Sequence, residues 1–225
     1  MFSRAAAHLD DIAHLVLVLC LVHACSPRSA NNPLLDPNSP AVNLTAPETY
    51  RVLFSTGKGD FTIEVHRAWS PKGADRFFNL ARNGFYDGAR FFRVIRDPRP
   101  FVAQFGISAD PAISARWSGA KIEDDPVKEH NTRGRIGFAT DGPNTRTTQV
   151  FINYGDNSRL DSRGFSPFGE VTSGMDVVDQ LYADYGEGAP DGKGPDQDRI
   201  EKEGTPYLQK GWPMLDYVKT ARVVQ

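Results

Sequence analysis

Both cysteines, Cys20 and Cys25, and three of the five histidines, His8, His14 and His23, fall in the first 25 residues of this 225-residue chain. Beyond Cys25 there is no thiol, and the imidazoles are His66 and His130. The body of the chain is therefore closed to a cysteine nucleophile, a redox Cys-x-x-Cys pair, a thiolate zinc site and an internal disulfide. Two separated histidines do not make a histidine-rich metal site. No Gly-x-Ser-x-Gly elbow is present to mount a serine nucleophile. The chemistry left is that of groups needing no sulfur, metal, imidazole or cofactor. Arg93, in Phe91-Phe92-Arg93-Val94-Ile95, and the glutamines Gln104 and Gln149 belong to that class. Read alone, each is bland. Strand alternation puts Arg93 on the face opposite Phe92 and Val94, as for a solvent-facing residue, and the glutamines are ordinary polar strand residues.

The elements that must position these groups follow from patterning. Tyr50 to Ser55 and Phe61 to His66 read as strands joined by Gly57-Lys58-Gly59-Asp60, a hairpin signal. Ser70-Pro71 offers a helix cap followed by Pro at the first helical position, Ala74, Phe77, Phe78 and Ala81 recur at helical spacing, and Gly84 ends the segment. Further strands are expected at 89–95, 101–106, 135–140, 149–154 and 168–171. A second helix is expected at about 173–182, a mixed helical stretch near 199–209 and a last strand near 215–223. The 183–198 segment, rich in Gly, Pro and Asp, reads as a loop without the spacing of a phosphate-binding motif. With 20 glycines and 16 prolines, many short strands and two convincing helices, the pattern predicts a mainly β fold, a closed or nearly closed antiparallel barrel. Lys plus Arg at 26 against Asp plus Glu at 28 gives a net charge of -2, which argues against a protein built to grip nucleic acid.

The N-terminus reads differently. Residues 12–24 form one apolar run of about 13 residues, shorter than the ~20 a membrane span needs and in keeping with the core of an export signal. Val22-His23-Ala24-Cys25 is similar to a bacterial lipobox, which makes 1–24 a lipoprotein signal and Cys25 its lipidated residue. A plain secretory signal and an uncleaved anchor are the alternatives. Residues 25–47, with Pro27, Pro33, Pro37, Pro40 and Pro47, read as an extended tether. The folded body is expected over 48–225, with a C-terminal extension from about 183.

Three blocks go beyond generic pattern. Phe91-Phe92-Arg93-Val94-Ile95 leads to Phe101-Val102-Ala103-Gln104-Phe105-Gly106. Gly142-Pro143-Asn144-Thr145 leads to Gln149-Val150-Phe151-Ile152, and Leu160-Asp161 leads to Pro167-Phe168-Gly169-Glu170-Val171. In this order, over roughly residues 48–182, they resemble the signature of the cyclophilin-type peptidyl-prolyl isomerases, here a bacterial, exported one. The resemblance implies an eight-stranded antiparallel barrel capped by two helices, with a substrate groove on its outer surface. It places the catalytic arginine on Arg93, with Gln104 beside it. The apolar proline pocket falls on Phe101, Val102, Phe151 and Leu160, the backbone-binding strand on Ala139 and Thr140, and the second groove glutamine on Gln149. The sequence departs from the pattern in several places, among them a longer connection at Arg96-Asp97-Pro98-Arg99-Pro100 and a longer tail after Tyr182. Arg159 stands where many eukaryotic members carry Trp, Phe165 is the occupant expected for the groove histidine, and Thr140 replaces an Asn.

The function so implied is acceleration of X-Pro rotation in exported or envelope proteins, with Pro-containing polypeptides as partners. No nucleic acid, metal or cofactor is implied. The protein would be a monomer touching the membrane only through its lipid. A non-catalytic binding module for Pro-containing segments is the competing reading, and a structural spacer in the envelope a third.

Overall fold

The computed structural model describes residues 32–224; the apolar run, Cys25 and the rest of the expected signal lie outside them. Alternation decides the first two strands. β1 (Thr49–Thr56) buries Tyr50, Val52, Phe54 and Thr56, and β2 (Asp60–His66) buries Phe61, Ile63 and Val65. A period of two is that of strands with one face on a core. The antiparallel register sets Phe54 opposite Phe61, and their rings stack with centroids 4.9 Å apart.

α1 (Pro71–Arg82) follows, burying Ala74, Phe77, Leu80 and Ala81 on one face. Its start differs from the expected cap, since the Ser70 side chain makes no capping bond. Asp125 takes that place. Its Oδ2 accepts from Ser70 Oγ (2.7 Å) and the Gly73 amide (3.0 Å), and its Oδ1 accepts from the Lys72 amide (3.2 Å). A full negative charge at a helix N-terminus satisfies free amides and suits the helix dipole better than a hydroxyl. Arg146, 2% exposed, closes the site with Nη2 3.1 Å from Asp125 Oδ2.

The remaining strands are β3 (Arg93–Val94), β4 (Val102–Phe105), β5 (Arg135–Phe138), β6 (Val150–Asn153), β7 (Pro167–Ser173) and β8 (Val218–Val224). The sheet order is β3-β4-β6-β5-β7-β2-β1-β8, antiparallel throughout. The result is a curled, open half-barrel and not the closed barrel expected. β3 and β8 are its edges, and the segments just ahead of them meet in a single bridge, Arg90 to Tyr217. Three backbone hydrogen bonds cross there, from the Gly88 amide to the Val218 carbonyl (2.7 Å), the Val218 amide to the Ala89 carbonyl (2.9 Å) and the Phe91 amide to the Asp216 carbonyl (3.0 Å), but they do not extend into a ladder, and the strand expected over 89–95 shrinks to two residues. Phe91 stays in the main core, while Phe92 turns away into a second apolar cluster. Inside the curl, Phe54, Phe77, Tyr86, Phe105 and Phe168 form part of a continuous aromatic core, with ring centroids such as Phe77–Phe168 at 4.9 Å.

Four further helices are α2 (Pro111–Trp117), α3 (Met175–Asp179), α4 (Gln197–Glu203) and α5 (Thr205–Gly211). α2 was not anticipated, although Asp110 caps it through the Ala112 amide (3.0 Å) and Pro111 opens it. Residues 33–47 are not an extended tether but part of the body. Leu34, Val42 and Ala46 are buried, and Trp117 Nε1 donates to the Leu34 carbonyl at 2.7 Å. Proline enrichment here produces two short 3-10 turns, Pro33–Leu35 and Pro40–Val42, that bring apolar side chains inward. At the other end, α4 and α5 build the second cluster, in which Ile200, Tyr207, Leu208 and Leu215 pack with Phe92 and Ile107.

Candidate active site

β3 and β4 pair with Arg93 directly opposite Gln104, and β4 pairs with β6 with Gln104 opposite Phe151. Three groups read separately in the sequence therefore stand side by side across three strands. Gln104, 7% exposed, accepts from Arg93 Nη1 through Oε1 (3.1 Å) and donates through Nε2 to Gln149 Oε1 (2.9 Å). Next to this polar line, Val102, Phe151 and Leu160 form a small apolar cluster, edged by Phe101, Ala139 and Phe165. The rings of Phe151 and Phe165 meet edge to face at 5.8 Å. The Arg93 guanidinium carbon lies 5.3 Å from the Phe101 ring centroid, and that of Arg159 lies 4.9 Å from the same ring.

Loops complete the hollow. Gly137 on β5 passes beneath Phe151, where a Cβ would come within 3.3 Å of the ring's Cζ, so a bare backbone lets the ring lie across the strand. Leu160 sits in the 3-10 turn Ser158–Arg163, and the turn before Gln149 is closed by Thr145 Oγ1, which meets Thr140 Oγ1 at 2.8 Å. Ala139 joins this edge through its amide, which donates to the Gln149 carbonyl at 2.9 Å.

All ten residues singled out for catalysis or substrate binding, Arg93, Phe101, Val102, Gln104, Ala139, Thr140, Gln149, Phe151, Leu160 and Phe165, line one groove of about 700 Å³. Neither described histidine does. His66 packs against Trp69, the rings tilted with centroids 4.1 Å apart, and His130 Nδ1 lies 2.8 Å from Asp161 Oδ2.

Sequence reasoning missed the groove's other wall. The segment read as a plain loop sends Glu187 onto Arg93, with Arg93 Nε donating to Oε1 at 2.5 Å and Nη2 donating to Oε2 at 2.7 Å. Asp191, Gln197, Asp198 and Glu201 continue this wall. Hydrogen bonds from Arg93 hold the Glu187 carboxyl below the usual carboxylate range; burial opposes this, and the Arg93 charge and the Gly188 amide add to the lowering. Burial pushes Glu201 the other way, with the Asp198 charge adding to the rise. No local period marks Glu187 as a groove residue, and the pair spans 94 positions.

A polar line ending in a half-buried guanidinium, beside a hollow of ring-sized apolar walls, suits an amide next to a small hydrophobic ring. The family model described as cyclophilin type peptidyl-prolyl cis-trans isomerase/CLD matches residues 51–204. The chain belongs to this family. Peptidyl-prolyl cis-trans isomerase-like 3 of Homo sapiens is 36% identical over 137 residues, covering 58% of this chain and 80% of that protein. Peptidyl-prolyl cis-trans isomerase cypE of Dictyostelium discoideum is 36% identical over 138 residues, covering 59% and 84%. Among solved structures, a cyclophilin type isomerase of Cryptosporidium parvum shares the fold with a TM-score of 0.58 at 21% identity, over 79% of this chain and 98% of that one. The same parasite protein has been solved in the presence of the dipeptide Ala-Pro. This cyclophilin is a peptidyl-prolyl cis-trans isomerase, and its substrates are Pro-containing polypeptides.

Proposed function

We propose that Arg93 is the catalytic group of this isomerase, with Gln104 orienting it, and that Phe101, Val102, Phe151, Leu160 and Phe165 hold the proline ring. The observation that carries this reading is the guanidinium held 5.3 Å from the Phe101 ring, beside the apolar hollow and not out in solvent. An X-Pro bond resists rotation by ~18–20 kcal/mol because the nitrogen lone pair is shared with the carbonyl. Halfway through the twist that sharing is lost, and the nitrogen becomes a better hydrogen-bond acceptor. A fixed cation with N–H donors then binds the twisted form more strongly than either planar form. Arginine suits the task because it stays charged and presents its donors in a rigid plane. The hollow holds the ring while the carbonyl side turns. Lowering the barrier by ~7 kcal/mol corresponds to roughly 10⁵-fold acceleration. No proton moves and no covalent bond forms. Ala139, Thr140 and Gln149 would bind the peptide backbone along the groove edge.

The test is isomerisation of a short X-Pro peptide by the wild type and Arg93→Ala. The variant is expected to lose on the order of 10²–10³ in kcat/KM. Equal rates would remove Arg93 from the mechanism.

The setting we propose is the cell envelope, with residues 1–24 as an export signal, Cys25 as the lipid attachment point and a monomer acting on exported chains. The support is the apolar run followed by Val22-His23-Ala24-Cys25. Slow X-Pro isomerisation can limit folding outside the cytoplasm as inside it. Mass spectrometry of the mature protein should show a chain beginning at a lipid-modified Cys25; an unmodified chain starting elsewhere would overturn the anchor.

A further inference from the structure

We propose that Glu187, supplied by the C-terminal extension, is a positioning residue for prolyl isomerisation: it sets the plane and angle of the Arg93 guanidinium. The inference rests on Arg93 being the group that stabilises the twisted amide.

Arginine is a long side chain with several rotatable bonds, and here it springs from a strand only two residues long. On its own side of the groove it is held by one bond to Gln104 at 3.1 Å and by the face of Phe101. Neither contact fixes the rotation of the guanidinium plane. Two parallel bonds to one carboxylate do, because both nitrogens and both oxygens must then be coplanar. Of the five N–H bonds of Arg93, Glu187 takes one at Nε and one at Nη2, and Gln104 takes one at Nη1. Two remain, one on each terminal nitrogen, for the substrate.

The carboxylate is itself built in. The Gly188 amide donates to Glu187 Oε1 at 2.9 Å, and the Gly194 amide donates to the Glu187 carbonyl at 2.7 Å. The chain folds so tightly around residue 187 that a Cβ at Gly192 would stand 2.2 Å from its carbonyl oxygen. Trp212 Nε1 ties this loop down through the Lys193 carbonyl at 2.7 Å, and the Tyr207 hydroxyl accepts from the Asp196 amide at 3.1 Å. Tyr207 and Leu208 then pack with Phe92, the residue preceding Arg93. The extension thus packs on the side chain preceding Arg93 and holds the guanidinium at its head. A carboxylate mounted this firmly on the chain-proximal edge of the guanidinium orients it and leaves its outer hydrogens free.

The test measures kcat and KM for one X-Pro peptide, with peptide affinity by NMR titration, in wild type, Glu187→Gln, Glu187→Asp, Arg93→Ala and the Arg93→Ala/Glu187→Gln double variant. Glu187→Gln replaces an acceptor oxygen by an amide facing Nη2. A misplacement of this kind is expected to lower kcat by on the order of ten- to a hundredfold while KM and peptide affinity stay within about twofold. Glu187→Asp should recover part of the rate. The Arg93 Nε–H resonance, sharp in wild type, should shift or broaden in Glu187→Gln. In the Arg93→Ala background the effect of Glu187→Gln should vanish, since it acts through that side chain.

Wild-type or faster turnover by Glu187→Gln, with Arg93→Ala still slow, would overturn the inference; a faster variant would make Glu187 a brake. A loss carried by KM alone would overturn it too, making Glu187 a substrate contact. If Glu187→Gln does not fold, kcat of Glu187→Asp and the Nε–H signal in that variant decide alone. Full activity in Arg93→Ala would instead sink the reading of Arg93 on which this one rests.

Discussion

Asn157 holds the backbone of Phe101, its Nδ2 donating to the Phe101 carbonyl and to Asn153 Oδ1, each at 2.9 Å. Asn153 passes the connection to Asn131 Oδ1 (3.3 Å), and Asn131 donates to the Phe165 carbonyl (2.8 Å) and to Asp161 Oδ1 (2.8 Å). All three asparagines are 0% exposed. The walls of the ring pocket therefore hang on a chain of buried amides, which apolar packing alone would not orient. Asn157→Ala should cost about 1–3 kcal/mol of stability, because the buried Asn153 Oδ1 loses its donor. It should also weaken Pro-peptide binding, because Phe101 is then held by its two backbone bonds alone, from the Tyr154 amide to its carbonyl (2.8 Å) and from its amide to the Ile95 carbonyl (2.9 Å). Urea unfolding and an NMR peptide titration measure the two effects; destabilisation with unchanged affinity would show that Phe101 is placed by packing.

Phe165 separates binding from turnover. Its ring is half-buried at the mouth of the pocket and meets Phe151 edge to face at 5.8 Å. Such a pair contributes about 0.5–1.5 kcal/mol beyond buried area. On the proposed reading, in which this ring holds the proline away from the reacting amide, Phe165→Ala should raise KM roughly 3- to 10-fold while kcat holds. A fall in kcat at constant KM would place Phe165 in the rotation step.

Much of this was legible in the chain itself, and the misses have physical causes. The first two strands are legible because a half-buried strand writes its period of two into residues such as Tyr50, Val52 and Phe54, whereas β4 and β6 are buried throughout and show as short apolar runs. The ten groove residues were found through short blocks in which an Arg, two Gln and several Phe keep fixed offsets. The strand around Arg93 is shorter than the pattern predicts because Phe91 and Phe92 look alike in sequence, although one serves the main core and the other the extension's cluster. α2 went unnoticed because seven residues make too few turns to show a helical period, although Asp110-Pro111 marked its start. The Glu187–Arg93 pair and the asparagine chain could not be read at all. Amides and carboxylates in loops look like turn residues until a distant segment is folded onto them.

Acid should unfold the protein partly through Asp125. Burial by itself would raise this carboxyl, but bonds from Ser70, Gly73 and Lys72 and the Arg146 charge outweigh it, so its folded pKa lies below the ordinary value. A group with a depressed folded pKa stabilises fully above its unfolded pKa, about 3.9 for Asp, and that contribution is lost as pH falls through the folded value. Asp125→Asn should lower stability at pH 7 and flatten its decline below about pH 4, where the wild type is already surrendering the same contribution. Thermal unfolding from pH 7 to pH 2.5 checks this. Parallel curves for the two proteins over the acid limb would assign the decline to other carboxylates.

Residues 33–47, ahead of β1, should prove to be a structural part of the domain. Leu34, Val42 and Ala46 are all buried, so a chain beginning at residue 48 exposes their sockets. It also removes the Leu34 carbonyl from Trp117 Nε1 (2.7 Å), the Ala46 amide from Asp75 Oδ1 (2.9 Å) and both backbone partners of the nearly buried Asn79 at Leu44 (2.7 and 3.1 Å). Burying two aliphatic side chains contributes about 1.5–3 kcal/mol each, so a chain starting at 48 should be less stable than one starting at 32 by at least about 3 kcal/mol. None of residues 33–47 lines the groove, so kcat/KM at low temperature should be alike in the two. Urea unfolding of both chains, with activity measured alongside, decides it: equal midpoints would return residues 33–47 to the role of a spacer.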